Sequence, residues 1–188
     1  MRALAVALAL SAAAAAAQPT PVGPGSELSY RGSALLHDWV GTSTAVTGTL
    51  DLDLDRPERS TVRLTVPVAS FDSGNGARDR KMLEATAADR FPTVTFVSTS
   101  VAPERWGGAP GRRAGRWTVR GGLTFRGVTR PVVARVDVVE RGRAVTASPA
   151  FDIDMTDFGV ERPGLGPAKV ADRLRFSGTV TTVRAEGP

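Results

Sequence analysis

Between Leu50 and Val68 the chain changes character at every second residue. Leu50, Leu52 and Leu54 alternate with Asp51, Asp53 and Asp55. After an Arg56-Pro57-Glu58 turn, Val62, Leu64, Val66 and Val68 alternate with Thr61, Arg63 and Thr65. Successive side chains of a β-strand point to opposite faces, so this period requires strands with one apolar face and one wet face. The rest of the chain has to supply the elements that cover the apolar face.

Most of it reads as further strands. They are expected over residues 26–36, 40–55, 61–68, 93–101, 116–125, 128–140, 144–155 and 170–184. Arg126-Gly127 and Arg141-Gly142 are short hairpin turns, and 103–115 and 156–167 are loops rich in Gly and Pro. One helix is expected over 77–88, capped by Asn75, with Met82, Leu83 and Ala87 as its inner face and Phe91-Pro92 ending it. The fold class is therefore all-β and mainly antiparallel, with about eight strands and one short helix after the third. Periodicity does not separate a barrel from a two-sheet sandwich.

The chain has 188 residues, 41% of them hydrophobic, enough for one domain with its own core. It has no cysteine, which excludes disulfides, thiol catalysis and Cys-type zinc. The formal charge is +5, carried almost entirely by arginines interspersed with acids. Nucleic-acid binding calls for a basic stripe with interleaved aromatics, and the sequence has none. A mildly cationic surface favours encounters with anionic lipid headgroups.

The first residues read as a secretory signal. Arg2 precedes the apolar run 3–10, and small residues lead to Ala15-Ala16-Ala17, so cleavage is expected after Ala17. The apolar stretch falls short of the ~20 residues that a membrane span needs. Residues 1–17 are thus expected to be a signal peptide, 18–25 (QPTPVGPG) a flexible leader and 26–184 the folded domain, working in the periplasm or outside the cell.

Three pieces in order carry a resemblance. The first is 70–99, SFDSGNGARDRKMLEATAADRFPTVTFVST; the second is 121–132, GGLTFRGVTRPV; the third is Asp157-Phe158-Gly159-Val160. In this order they resemble the YceI-like family of bacterial periplasmic and secreted proteins, over roughly Glu27 to Val183. The resemblance implies a lipocalin-like barrel that holds an isoprenoid or another long apolar molecule. One departure stands out. Where relatives carry bulky aromatics before a Tyr-Pro, this chain has Ala and Thr between Lys81 and Phe91-Pro92. If that helix plugs the barrel, the plug is smaller here, and a ligand class other than the isoprenoids is open to it.

No segment reads as a catalytic motif. His37 is the only histidine, and its neighbour Asp38 points to the opposite face of a strand, so the two make no dyad. The family places a histidine at this point, so His37 is carried over as a residue of interest at a polar mouth. Asp51, Asp53 and Asp55 alternate as a solvated strand face and lack the glycine of a calcium loop. Arg78 has two readings: a local ion pair with Asp72, or a guanidinium at the cavity mouth that holds a polar head. Neither a metal nor a cofactor is expected.

The reading that follows is non-enzymatic binding of an isoprenoid, quinone or fatty amide for storage or transport. The expected lumen lining is Val62, Leu64, Val66, Val94, Phe96, Trp117, Val119, Phe151 and Phe176, with His37 and Arg78 at the mouth. Two alternatives remain open at this point: an enzyme using His37 with a distant carboxylate, and a structural or stress protein whose barrel is filled. The partner is a lipid-like small molecule, with no nucleic acid and no membrane span; monomer and dimer both fit the sequence.

Overall fold

The structure is a computed structural model that describes residues 19–34, 37–164 and 169–184. The signal-peptide expectation for 1–17 lies outside the described residues. The strands are β1 Thr20–Pro21, β2 Glu27–Ala34, β3 His37–Ser43, β4 Thr47–Asp51, β5 Thr61–Pro67, β6 Thr93–Gly107, β7 Ala114–Phe125, β8 Val128–Arg141, β9 Ala144–Asp154 and β10 Arg173–Val183, with helix α1 Gly76–Thr86 after β5. All pairs are antiparallel in one ten-stranded sheet, ordered β1-β4-β5-β6-β7-β8-β9-β10-β2-β3.

The sheet curls into a barrel because its margins are stitched together by the chain itself. β1 pairs with β4, yet residues 22–26 carry the chain across to β2 beside β10. There Gly23 N donates to Thr181 O at 2.7 Å, and the Thr182 hydroxyl donates to Thr20 Oγ1 at 2.9 Å. At the other margin β3 runs through Thr44–Val46 into β4. The stretch 40–55, expected as one strand, is thus bent into two: its first part pairs with β2 and its second with β5. The Gln18–Gly25 segment, expected as a flexible leader, supplies β1, with the Thr20 hydroxyl donating to Leu50 O at 3.0 Å.

Leu50, Leu52 and Leu54 are all buried, as their alternation requires. β4 ends at Asp51, however, and the three acids are not one strand face. Asp53 caps the following turn, accepting from Arg56 N at 2.9 Å, and Asp55 pairs with Arg113 at 2.6 Å. The expected loop 103–115 is mostly strand. β6 runs on to Gly107 because bulges at Ser98/Ser100 and Pro103/Arg105 each slip the pairing with β7 by one residue. Such a bulge is where a sheet tolerates a proline.

α1 is capped as expected: Asn75 Oδ1 accepts from Ala77 N and Arg78 N, both at 3.1 Å. It ends at Ala87, whose left-handed backbone (φ 49°) stops it before Phe91-Pro92. Its core-facing apolar residues are Met82, Leu83 and Ala85, and Ala88, just beyond its end, packs on the core in place of Ala87. The far end of the barrel is sealed. Trp106 stacks edge-on against Trp117 at 5.1 Å and its indole N–H donates to Leu54 O at 2.8 Å. Beside it the buried Glu140 carboxylate meets Arg184 at 3.2 Å and Arg113 at 3.8 Å. The lumen is therefore blind at one end.

Candidate functional site: an apolar lumen with a cationic mouth

The open end leads into a cavity of about 450 Å³, continued inward by a smaller one of about 100 Å³. Every apolar lining residue expected from sequence borders one or both. Phe176 faces the outer cavity; Val66, Val94 and Phe151 border both; Val62, Leu64, Phe96, Trp117 and Val119 face the inner one. They converge because each sits on the inward phase of its strand. In β7, Trp117, Val119, Leu123 and Phe125 are buried on one face.

α1 lies across the outer cavity and presents Ala77, Ala85 and Thr86 to it. Ala85 and Thr86 stand in the stretch where bulky aromatics are missing from the sequence, and both border the cavity. The Thr86 hydroxyl donates to Met82 O at 2.8 Å, so even this buried polar group leaves the wall apolar.

The polar groups gather at the mouth. His37, Asn75, Arg78 and Lys81 border the outer cavity there, and no carboxylate does among the described residues. Arg78 does not pair with Asp72. Its Nη1 donates to Ser73 Oγ at 3.2 Å, and its guanidinium lies 5.1 Å over the Trp39 ring. Asp72 instead accepts from Gly74 N at 2.7 Å, and Asp79 accepts from the Ser73 hydroxyl at 2.6 Å. The guanidinium keeps unused donors beside the opening, which suits a carbonyl or an anionic head. His37 is exposed, with its ring 5.8 Å from Trp39. Among the described residues it has no hydrogen-bonded carboxylate; Asp38 turns to Arg31 at 3.9 Å.

Of the aromatic wall of the outer cavity, sequence reasoning named Phe151 and Phe176 and missed Tyr30 and Phe71. Tyr30 sits 5.5 Å from Phe71 and 6.2 Å from Phe176, which stacks on Phe151 at 5.1 Å with 5° between the planes. Burial pushes the Tyr30 phenol upward, partly offset by the Trp39 side chain next to it. Lys81 was also missed, because on the sequence it is one charge in a run of charged helix formers.

The model of the YceI-like domain matches residues 24–182, and the chain belongs to that family. A UPF0312 protein of Azotobacter vinelandii is 29% identical over 152 residues, 75% of this chain and 73% of the relative. Among solved structures, Burkholderia cenocepacia BcnA superposes with a TM-score of 0.71 at 24% identity, over 83% of this chain and 95% of that one. A polyisoprenoid-binding domain from Saccharophagus degradans, described as implicated in plant cell wall breakdown, gives a TM-score of 0.70 at 10% identity, over 89% and 100%. At these identities the two structures speak for the fold.

Proposed function

We propose that this YceI-like protein is a non-enzymatic carrier that holds a long apolar molecule, such as an isoprenoid, quinone or fatty amide, with its tail in the lumen. The observation that carries the reading is the open, apolar cavity of about 450 Å³ beneath a mouth that holds Arg78 and Lys81. A cavity of that size is within the range of small-molecule sites, and an apolar wall with a few polar groups at one end is their usual chemistry. Each methylene moved from water into it is worth about 0.8 kcal/mol before binding entropy is subtracted. The likeness in fold to the polyisoprenoid-binding domain of Saccharophagus degradans supports the same ligand class. A filled barrel fits poorly with so large a space, and among the described residues His37 has no hydrogen-bonded carboxylate of the kind that an acid–base pair uses. The reading places the protein outside the cytoplasm, on the strength of Arg2, the apolar run and Ala15-Ala16-Ala17.

Native mass spectrometry of protein purified from its own source tests this. A mass excess over the polypeptide that is lost on denaturation, and a free N-terminus at Gln18, are the expected results. Ligand-free protein that also takes up no apolar probe would end the carrier reading. Recovery of the chain with Met1 in the cytoplasm would end the export reading.

A further inference from the structure

The lumen is two spaces of unequal size joined at a neck. Leu28, Val66, Val94, Leu123 and Phe151 border both the outer cavity of about 450 Å³ and the inner one of about 100 Å³. They come one each from β2, β5, β6, β7 and β9, so they ring the barrel where the two spaces meet. Val66 and Val94 are register partners, facing the lumen side by side. Phe151 is held by its stack on Phe176, 5.1 Å away and 5° from parallel. Beyond the ring, Phe96 lies across Gly121, where a Cβ would come within 2.5 Å of its Cζ, and Trp117 with Trp106 closes the floor. A space of this size walled by Val, Leu and aromatic groups stays dry.

The geometry points to a chain-length stop: the neck fixes where an apolar tail must end, and Phe151 and Leu123 are specificity-determining residues. This rests on the carrier reading above. Short of the ring, each added methylene leaves water for an apolar wall and tightens binding about fourfold. At the ring, a further methylene has to spread close-packed side chains or fold back on the tail, and overpacking of that kind is unfavourable. The gain per methylene therefore ceases there.

Calorimetric titration of delipidated, folded protein with the straight-chain primary amides from octanamide to icosanamide tests this. The expected result is tightening of about fourfold per methylene up to one chain length, then a plateau or reversal. Phe151→Ala should move that break to longer chains by joining the two spaces. Leu123→Ala, from a different strand, should do the same. Phe151→Leu, which removes less bulk, serves if an alanine variant loses its cooperative melt. Affinity that climbs through the longest amide without a break overturns the stop and leaves the carrier reading standing. So does a break that stays in place in the neck variants. Binding of no amide at any length sinks the carrier reading, and the stop with it.

Discussion

Tyr30 on β2 reaches across Gly41 on β3: the two are register partners, and a Cβ on residue 41 would stand 2.4 Å from Tyr30 Cε1. Their neighbours repeat the arrangement in the opposite sense. Trp39 on β3 crosses Gly32 on β2, where a Cβ would come within 2.5 Å of the indole. Two aromatic residues of the outer cavity thus occupy slots that only glycine leaves open on the adjoining strand.

Gly41→Val should therefore remodel the cavity wall. The added side chain displaces the Tyr30 ring, which is hemmed in by Phe71 and Phe176. The expected cost is about 1–3 kcal/mol, with weaker uptake of an apolar probe. Gly107→Ala on β6, where a Cβ meets nothing within 4 Å, is the control. Thermal melting and probe titration of both variants read the effect; equal behaviour would remove the steric argument.

How far the sequence reached depends on whether the period of two survives. Where strands are regular, as in β5 and β7, alternation alone picked out Val62, Leu64, Val66, Trp117 and Val119 as inward-facing. It failed where the ladder is irregular. The bulge at Pro103/Arg105 disguised the end of β6 as a loop. Thr20–Pro21 is too short, and too polar at its buried residue, to carry any pattern, yet it stitches the barrel shut. At Thr44–Val46 the apolar pattern says nothing of a change of partner strand. The mouth was half legible: Arg78 stood in a family motif, while its contact with Trp39 joins two elements far apart in sequence.

The β9–β10 pair carries a pH dependence. Arg173 and Asp154 are register partners, with Nε to Oδ1 at 3.0 Å and Nη2 to Oδ2 at 3.2 Å. The Arg173 hydrogen bonds hold the Asp154 carboxyl below its ordinary range, more than offsetting the opposing effect of burial. A carboxyl depressed in the folded state adds stability above its unfolded pKa of about 3.9 and loses it as pH falls through the folded value. The pair is largely exposed, so the effect is small. Asp154→Asn should lower stability at neutral pH and cost little at a pH below the folded value. Urea unfolding at both pH values checks this; an equal loss at both would mean the ion pair is not the source.

The last prediction tests register and lumen together. Phe96 faces the inner cavity, and its neighbour Thr95 turns outward, paired with Thr65 and Thr124. Phe96→Glu places a carboxylate in a space lined by apolar side chains, with no cation among the described residues that line it. Such a group costs several kcal/mol or is driven to its neutral form by a raised pKa. Stability should fall, while a tail that ends at the neck should be kept; loss of the ligand would mean that the tail passes the neck. Thr95→Glu, on the wet face, should change neither. Melting temperature and the ligand content of purified protein, measured side by side, separate the outcomes. If Thr95→Glu is the damaging variant, the strand phase assigned to β6 is wrong. If Phe96→Glu melts lower but keeps its ligand, the tail ends before the inner cavity, as a stop at the neck requires. If both variants keep wild-type stability, the apolar lumen at this depth is not closed to water, and the seal made by Trp117 and Trp106 has to be abandoned.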